Sequence, residues 1–299
     1  MLKRIRRAFR KRQESLEVIE QQNRQILEQL TTINSESALI SRMFAETRRE
    51  KLLATERLSD PKRLEKYAFK GYSQNDEDGM IQEIFRRIGT TDKRFVEFGA
   101  SDGKENNSVY LLCQGWTGAW LEGSEEAIED MKKTFGWAIE SNQLTPVQSF
   151  LTKDNINDVI GEAGFQGEID MLSIDIDGND YHLWKAIDVV QPRLVVIEYN
   201  AYAPPPVEWI MKYKEDYSWD RTAYFNSSLQ SLQNLGREKG YRLVGCSLNG
   251  LNAFFVRTDV AGDHFCDDDS AQNLYHPRRF WLDGYKLSYM IPYDRPFEQ

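Results

Sequence analysis

The residues best suited to chemistry begin at Phe95–Asn107, FVEFGASDGKENN. An apolar run, Phe95, Val96 and Phe98, is interrupted by Glu97 and gives way at once to Gly99, Ala100, Ser101, Asp102 and Gly103. A short apolar run closed by glycine predicts a buried parallel strand. The glycines that follow let the backbone turn tightly and approach a ligand with no Cβ in the way. The spacing is Gly-x-x-x-Gly, not the Gly-x-Gly-x-x-Gly that cradles a pyrophosphate. A carboxylate at the strand end repels such an anion and suits a cationic or hydroxyl-bearing ligand.

Further acids recur where other strands are expected to end. Ile169–Ile176 leads into Asp175, Asp177, Gly178 and Asp180; Leu194–Glu198 leads into Tyr199 and Asn200. Oxygen ligands from two adjacent strand ends, Asp175, Asp177, Glu198 and Asn200, suit a hard divalent cation such as Mg2+. Some of these acids can instead cap the helix that follows, and Asp177 and Asp180 are well placed to do so. The chain has three histidines, His182, His264 and His276. A hydroxyl acceptor wants a base with a pKa near 7, and His182, seven residues after Asp175, is the first choice; a structural surface role for it is the alternative.

Several of these stretches together resemble one family. Glu97–Gly103 looks like motif I of class I S-adenosylmethionine (SAM) methyltransferases, and the wider pattern resembles their FkbM-like branch. The supporting residues are Tyr72–Gly79 (YSQNDEDG), Leu172–Gly178 (LSIDIDG), Val196–Glu198, Lys239–Val244 and Asn252–Arg257. The resemblance runs from about Tyr67 to Thr258. It implies that Glu97, Gly99, Ala100, Ser101, Asp102 and Gly103 border the methionine part of SAM. Glu122 ends the second strand about 20 residues on, where an acid can accept hydrogen bonds from both ribose hydroxyls; a surface acid beside Glu125 and Glu126 is the alternative, and Gln148, Ser149 and Phe150 at the end of the third strand would flank the adenine. Metal-dependent sugar and catechol O-methyltransferases have carboxylates and an Asn at similar strand ends, which implies a metal-assisted role for Asp175 beside His182. The implied acceptor is a hydroxyl on a sugar or other small metabolite.

These side chains need a scaffold, and the periodicity supplies one. Helical spacing at 77–89 precedes the motif I strand. Strands at 118–122, 144–150, 169–176 and 194–198 alternate with helices at 107–113, 127–135, 155–163 and 181–187. A helix at 227–239 leads to a closing strand pair at 241–246 and 252–257. Alternation of this kind predicts an α/β fold, a doubly wound, mostly parallel sheet, Rossmann-like. The last two strands, joined by Ser247-Leu248-Asn249-Gly250, suit an antiparallel edge of the kind class I methyltransferases have. Between them and the sheet, Tyr202–Phe225 is rich in aromatics and proline, which suits stacking on a sugar face as well as covering the core. A second aromatic and basic cluster spans Tyr275–Trp281.

The first 60 residues are a different kind of chain. No Gly or Pro precedes Pro61, so nothing opposes one long helix. Leu2, Ile5 and Phe9 share one face, surrounded by seven Lys/Arg between Lys3 and Arg12, the pattern of a helix lying on an anionic membrane. A solvated arm and a site for an acidic partner are the alternatives. From Leu16 a heptad sets in, with Leu16, Asn23, Leu30, Ser37 and Phe44 on one seam position and Ile19, Ile26, Ile33 and Ile40 on the other. This predicts a coiled coil, hence a homo-oligomer through residues 14–57. The division expected is 1–60 for tip and coiled coil, and 61–299 for the catalytic domain.

Composition narrows the function classes. Three cysteines with no CxxC spacing argue for a reducing, cytoplasmic setting, peripheral on the inner membrane face if the basic tip meets lipid. No window approaches a transmembrane span. Residues 1–58 carry 13 Lys/Arg against 8 Asp/Glu, so the remainder is more acidic than the whole chain at −9. An acidic body is a poor partner for nucleic acid. The reading is a SAM-dependent O-methyltransferase for a sugar or related hydroxyl, such as a lipid-linked or surface-polysaccharide glycan. The alternative is a non-catalytic, methyltransferase-like scaffold that recruits glycan-assembly enzymes through its coiled coil.

Overall fold

The computed structural model describes residues 2–283 and 297–298, with side chains from Gln21 to Leu282 apart from Arg24, Glu28 and Arg42. It divides into two units, Met1–Lys51 and Leu52–Gln299. The first is most of helix α1, Leu2–Leu53. Its described seam residues, Ile26, Leu30, Ile33, Ile40 and Phe44, are all at least half exposed in the single chain. The basic tip, Leu16 and Ile19 lie outside the residues whose side chains are described. Among the described residues no helix is long and apolar enough to cross a membrane.

The second unit is the α/β body. In chain order its main elements are α2 Glu77–Ile88, β1 Arg94–Phe98, α3 Val109–Cys113, β2 Thr117–Glu122, α4 Glu125–Glu140 and β3 Leu144–Gln148. There follow α5 Ile156–Glu162, β4 Gly167–Ile174, α6 Asp180–Ala186, β5 Val190–Glu198, β6 Ile210–Met211, α7 Leu229–Glu238, β7 Tyr241–Cys246 and β8 Asn252–Arg257. Seven strands form one sheet in the order β3-β2-β1-β4-β5-β8-β7. β1 to β5 run parallel, and β8 is antiparallel to both its neighbours. The antiparallel edge expected from the final strand pair is therefore present. Phe297–Glu298 (β9) pairs with β6 in a small second sheet that periodicity does not signal.

Both faces of the sheet are covered, which is why its strands read as continuous apolar runs. Val96 and Phe98 of β1 pack on one side with Leu172, Val195 and Phe255. Phe95 packs on the other with Trp120, Met171, Leu194 and Phe254. Fully burying each such aliphatic or aromatic side chain contributes about 1.5–3 kcal/mol, so these two layers hold the strand ends rigidly in register.

The body begins earlier than the Ser59–Pro61 punctuation suggests. Leu58 is buried, and Arg57 Nη2 donates to the carbonyls of Asn273 (2.9 Å) and Tyr275 (2.6 Å). Arg57 and Leu58 both belong to the second unit, Leu52–Gln299, and make their contacts within it.

Candidate functional site

Sequence order reverses direction between β1 and β4: β1, β2 and β3 build outward one way, β4 and β5 the other. Open α/β sheets bind ligands outside the carboxyl ends of their strands at such a switch. A cavity of about 370 Å³ opens there. Of the residues singled out in the sequence, Glu97, Gly99, Ser101, Asp102, Asp175, Asp177 and Glu198 line it. Ala100, Gly103, Glu122, Gln148, Ser149, His182 and Asn200 do not.

The first wall is the turn after β1. Gly99 has φ +66°, and a Cβ there would overlap the Asp175 carbonyl oxygen. Glycine is required here to let the β1 and β4 ends meet. Its N–H and that of Ala100 bond Leu121 O at 3.0 and 3.5 Å. Gly103 (φ +83°) lies against the Trp120 and Phe135 rings, so it serves the core. Glu97 is buried and burial raises its pKa. Its carboxylate accepts Asn107 N at 2.8 Å, Ser108 N at 3.1 Å and the Ser108 hydroxyl, which in turn accepts from Trp120 Nε1 at 2.7 Å. Glu97 therefore ties β1 to the start of α3. Asp102 is paired with Lys104, whose ammonium lowers its pKa.

The residues assigned to ribose and adenine stand at the carboxyl ends of β2 and β3. Glu122 accepts Ser101 N and Ser124 N, both at 2.8 Å, and so clips the β1 turn to the start of α4. Gln148 is exposed at the end of β3, and Ser149 N donates to Glu122 O at 2.9 Å.

The second wall is acidic. Oxygens of Asp175, Asp177 and Glu198 lie within 4.8 Å of one another, a set that could hold a metal ion. Burial, then repulsion from Asp177, Asp180, Glu97 and Glu77, pushes Asp175 well above the carboxylate range. Glu198 is raised likewise by burial and by Asp175, Asp177 and Asp180, with Arg278 acting against them. A cation would remove the repulsion and restore both charges, so this wall fits a hard divalent ion. Asp180 instead serves the loop, accepting Ile176 N (3.1 Å) and Gly178 N (3.0 Å); burial raises its pKa to about 7.

Asn200 does not join the cluster. It is fully buried; its Nδ2 donates to Ala223 O (2.8 Å) and Phe225 O (2.9 Å), and its Oδ1 accepts Tyr202 N (3.0 Å). It pins the long connection after β5 and leaves no amide pointing at the carboxylates. The amide on Glu198 comes from Asn226, whose Nδ2 donates to Glu198 Oε2 at 2.6 Å. Asn226 is itself fixed, with φ +54° and its N–H on Gly178 O at 3.2 Å. No local pattern marks it, because its partner lies 28 residues away.

His182 is also placed elsewhere. On α6, its Nε2 lies 2.8 Å from Met211 O and its ring sits between Tyr181 and Tyr213. The other two histidines are absent from the lining as well. The groups in the lining able to take a proton are therefore carboxylates, with Asp175, Asp177 and Glu198 together in the acidic wall.

The rim is built by the acidic stretch YSQNDEDG. Asp78 Oδ2 accepts three successive amides, Gly71 (2.7 Å), Tyr72 (2.6 Å) and Ser73 (2.9 Å). Glu77 accepts Asn75 N at 3.0 Å and Asn252 Nδ2 at 2.9 Å, and Asn252 is the register partner of Glu198 across β8 and β5. This places Gln74 and Asn252 in the cavity wall. Tyr202, Trp219 and Phe225 from the connection after β5, and Arg278 from the C-terminal cluster, complete it.

No protein-family model matches the chain, and no curated protein matches it in sequence. Solved structures to which part of it is similar include the methyltransferase domain of bacterial-CtHen1-C, at 13% identity and a TM-score of 0.40, covering 61% of this chain and 97% of that one. An S-adenosylmethionine-dependent methyltransferase from Clostridium acetobutylicum ATCC 824 aligns at 10% identity and TM-score 0.38, over 62% and 92%. The N-terminal domain of EvdMO1 with SAH bound aligns at 13% and 0.37, over 62% and 80%. At such identities and TM-scores the likeness carries no argument about function, and the chemistry of the cavity stands on its own residues.

Proposed function

We propose that this protein is a SAM-dependent O-methyltransferase, FkbM-like, that acts on a hydroxyl of a sugar or related metabolite. The observation that carries the reading is the cavity at the β1/β4 switch point, where the motif I turn faces a cluster of acids with raised pKa. When bound, SAM supplies an electrophilic methyl on a sulfonium. The carboxylate-rich wall favours that cation and repels the phosphates of a nucleotide. In the metal-free site Asp175 and Glu198 are the acceptors for the hydroxyl proton, burial and the neighbouring acids raising both above the ordinary carboxylate range. Asp175, Asp177 and Glu198 are the residues that would hold Mg2+, which would lower the pKa of a coordinated hydroxyl. Tyr202, Trp219 and Phe225 offer faces for the apolar side of a sugar ring.

The helix before the body supports a location for this activity. Its exposed Ile and Leu seam suits another copy of the same chain, and its basic first turns suit an anionic surface. The acceptor we infer is therefore a lipid-linked or surface-polysaccharide glycan, methylated by a peripheral oligomer.

Calorimetry with S-adenosylhomocysteine tests the core of this reading. Binding at micromolar levels, on the order of −8 kcal/mol, is expected. Wild-type protein that gives neither heat nor a thermal shift ends it. Label from methyl-tritiated SAM appearing in lipid-linked glycan, and not in nucleotide sugars or free sugars, would identify the acceptor.

A further inference from the structure

We propose that Asn106 is the hydrogen-bond donor for the carboxylate at the amino-acid end of SAM. This deepens the SAM reading and rests on it. Asn106 lines the cavity at the far end of the motif I turn, yet is only 9% exposed. Its Nδ2 has no hydrogen-bond partner among the described residues. A buried amide donor without a partner is costly, and such groups occur where a ligand completes them.

The neighbouring donors are already engaged. The N–H groups of Asn107 and Ser108 are bound by Glu97. Asn107 Nδ2 donates to Ser173 Oγ at 3.0 Å, and Asn252 Nδ2 to Glu77 Oε1 at 2.9 Å. The amino-acid end of SAM carries both an ammonium and a carboxylate. An acidic wall serves the ammonium, but the carboxylate meets repulsion everywhere except at a neutral or cationic donor; Arg278, a cation in the lining, donates through Nη1 to Asn249 O at 3.2 Å and acts on Glu198. Asn106 supplies a neutral one beside the turn that the methionine part approaches. Rotation of its amide turns either the donor or the acceptor toward the cavity, so no backbone change is needed.

The side chain of Asn106 makes no hydrogen bond that holds the fold, which separates binding from stability. The test compares S-adenosylhomocysteine with 5′-methylthioadenosine, which lacks the amino-acid end, by calorimetry on the full chain. Asn106→Ala should weaken S-adenosylhomocysteine about 10- to 100-fold, as loss of a hydrogen bond to a charged group does. It should leave 5′-methylthioadenosine unchanged and should not lower the melting temperature. Asn106→Asp, nearly the same shape with a charge that repels the carboxylate, should weaken S-adenosylhomocysteine further. Wild-type affinity in Asn106→Ala overturns the assignment, and so does an equal loss for both nucleosides. Wild-type protein that binds neither nucleoside overturns the SAM reading itself, and this assignment with it.

Discussion

A carboxylate beside another carboxylate is stable in water and costly in a cavity, and Asp175 and Glu198 sit on that distinction. Replacing either with its amide removes repulsion and the proton acceptor together. Asp175→Asn and Glu198→Gln should each lower methyl transfer about 10²- to 10⁴-fold, the usual range for a lost general base. The same variants should melt higher than wild type at pH 8 when no divalent cation is present. His182→Ala should retain turnover within a few-fold, because its ring contacts Met211 O and two tyrosines rather than the cavity. A hundredfold loss in His182→Ala would return the base to that residue. Asn200 and Asn226 make a paired control. Asn200→Ala loses three hydrogen bonds, two of them buried, and should cost about 2–4 kcal/mol of stability, read by urea unfolding. Asn226→Ala frees Glu198 and should lower turnover, with an added stability cost because Ala tolerates φ +54° less well than Asn.

At the scale of elements, the loop between β4 and α6 carries a pH dependence whose sign follows from Asp180. Its folded pKa, about 7, lies above the ordinary carboxylate value. Between roughly pH 4 and pH 7 the folded state holds a proton that the unfolded chain has lost, so stability falls as pH rises through that window. Asp175 and Glu198 are shifted in the same direction and add to the slope. Melting temperature measured without divalent cations should drop from pH 5 to pH 8. Mg2+ added at pH 8 should restore part of the loss in wild type and little in Asp177→Asn; EDTA should reverse the restoration. A melting temperature indifferent to Mg2+ at every pH would remove the cation from the site. The β1 turn makes a separate demand. Gly99→Val combines a left-handed φ with an overlap on the Asp175 carbonyl, so it should destabilise the body by roughly 3 kcal/mol or more rather than act on SAM alone.

For the whole molecule, the long helix and the body make separable demands. The proposed pairing of the heptad seam would hide apolar surface between chains, so it should set the oligomeric state with or without lipid. The basic tip should add about 1 kcal/mol per Lys/Arg near an anionic surface and weaken as salt rises. Deleting residues 1–12 should release the protein from anionic vesicles and leave it oligomeric by light scattering. Removing residues 1–51 should give a monomer that still binds S-adenosylhomocysteine. The cut belongs after Lys51, because Arg57 and Leu58 are packed into the body and a cut at 58 would remove both. A 52–299 protein that stays oligomeric would place the interface on the α/β body. Full-length protein that ignores anionic vesicles at low salt would assign the basic tip to an acidic protein partner.

What the sequence determined by itself is what depends on neighbours along the chain. Alternating apolar runs and helical spacing placed every strand of the main sheet and every helix between those strands within a few residues. Burial on two faces and on one leaves different periods in the residues themselves. The acids at the ends of β4 and β5 were legible too, since a strand's last residues project at the sheet's carboxyl edge wherever that edge lies. Tertiary structure decided which of these side chains meet. Asn200 and Asn226 are both asparagines beside the same acids. One faces backbone carbonyls and the other faces Glu198, because the irregular connection after β5 folds back on both. Glu97, expected beside a cationic ligand, lines the cavity and also accepts two amides at the start of α3, ten and eleven residues on. Gln74 and Arg278 entered the wall from opposite ends of the body. Loops carry no hydrophobic period, so their partners are set only when the packed sheet fixes where each loop begins and ends.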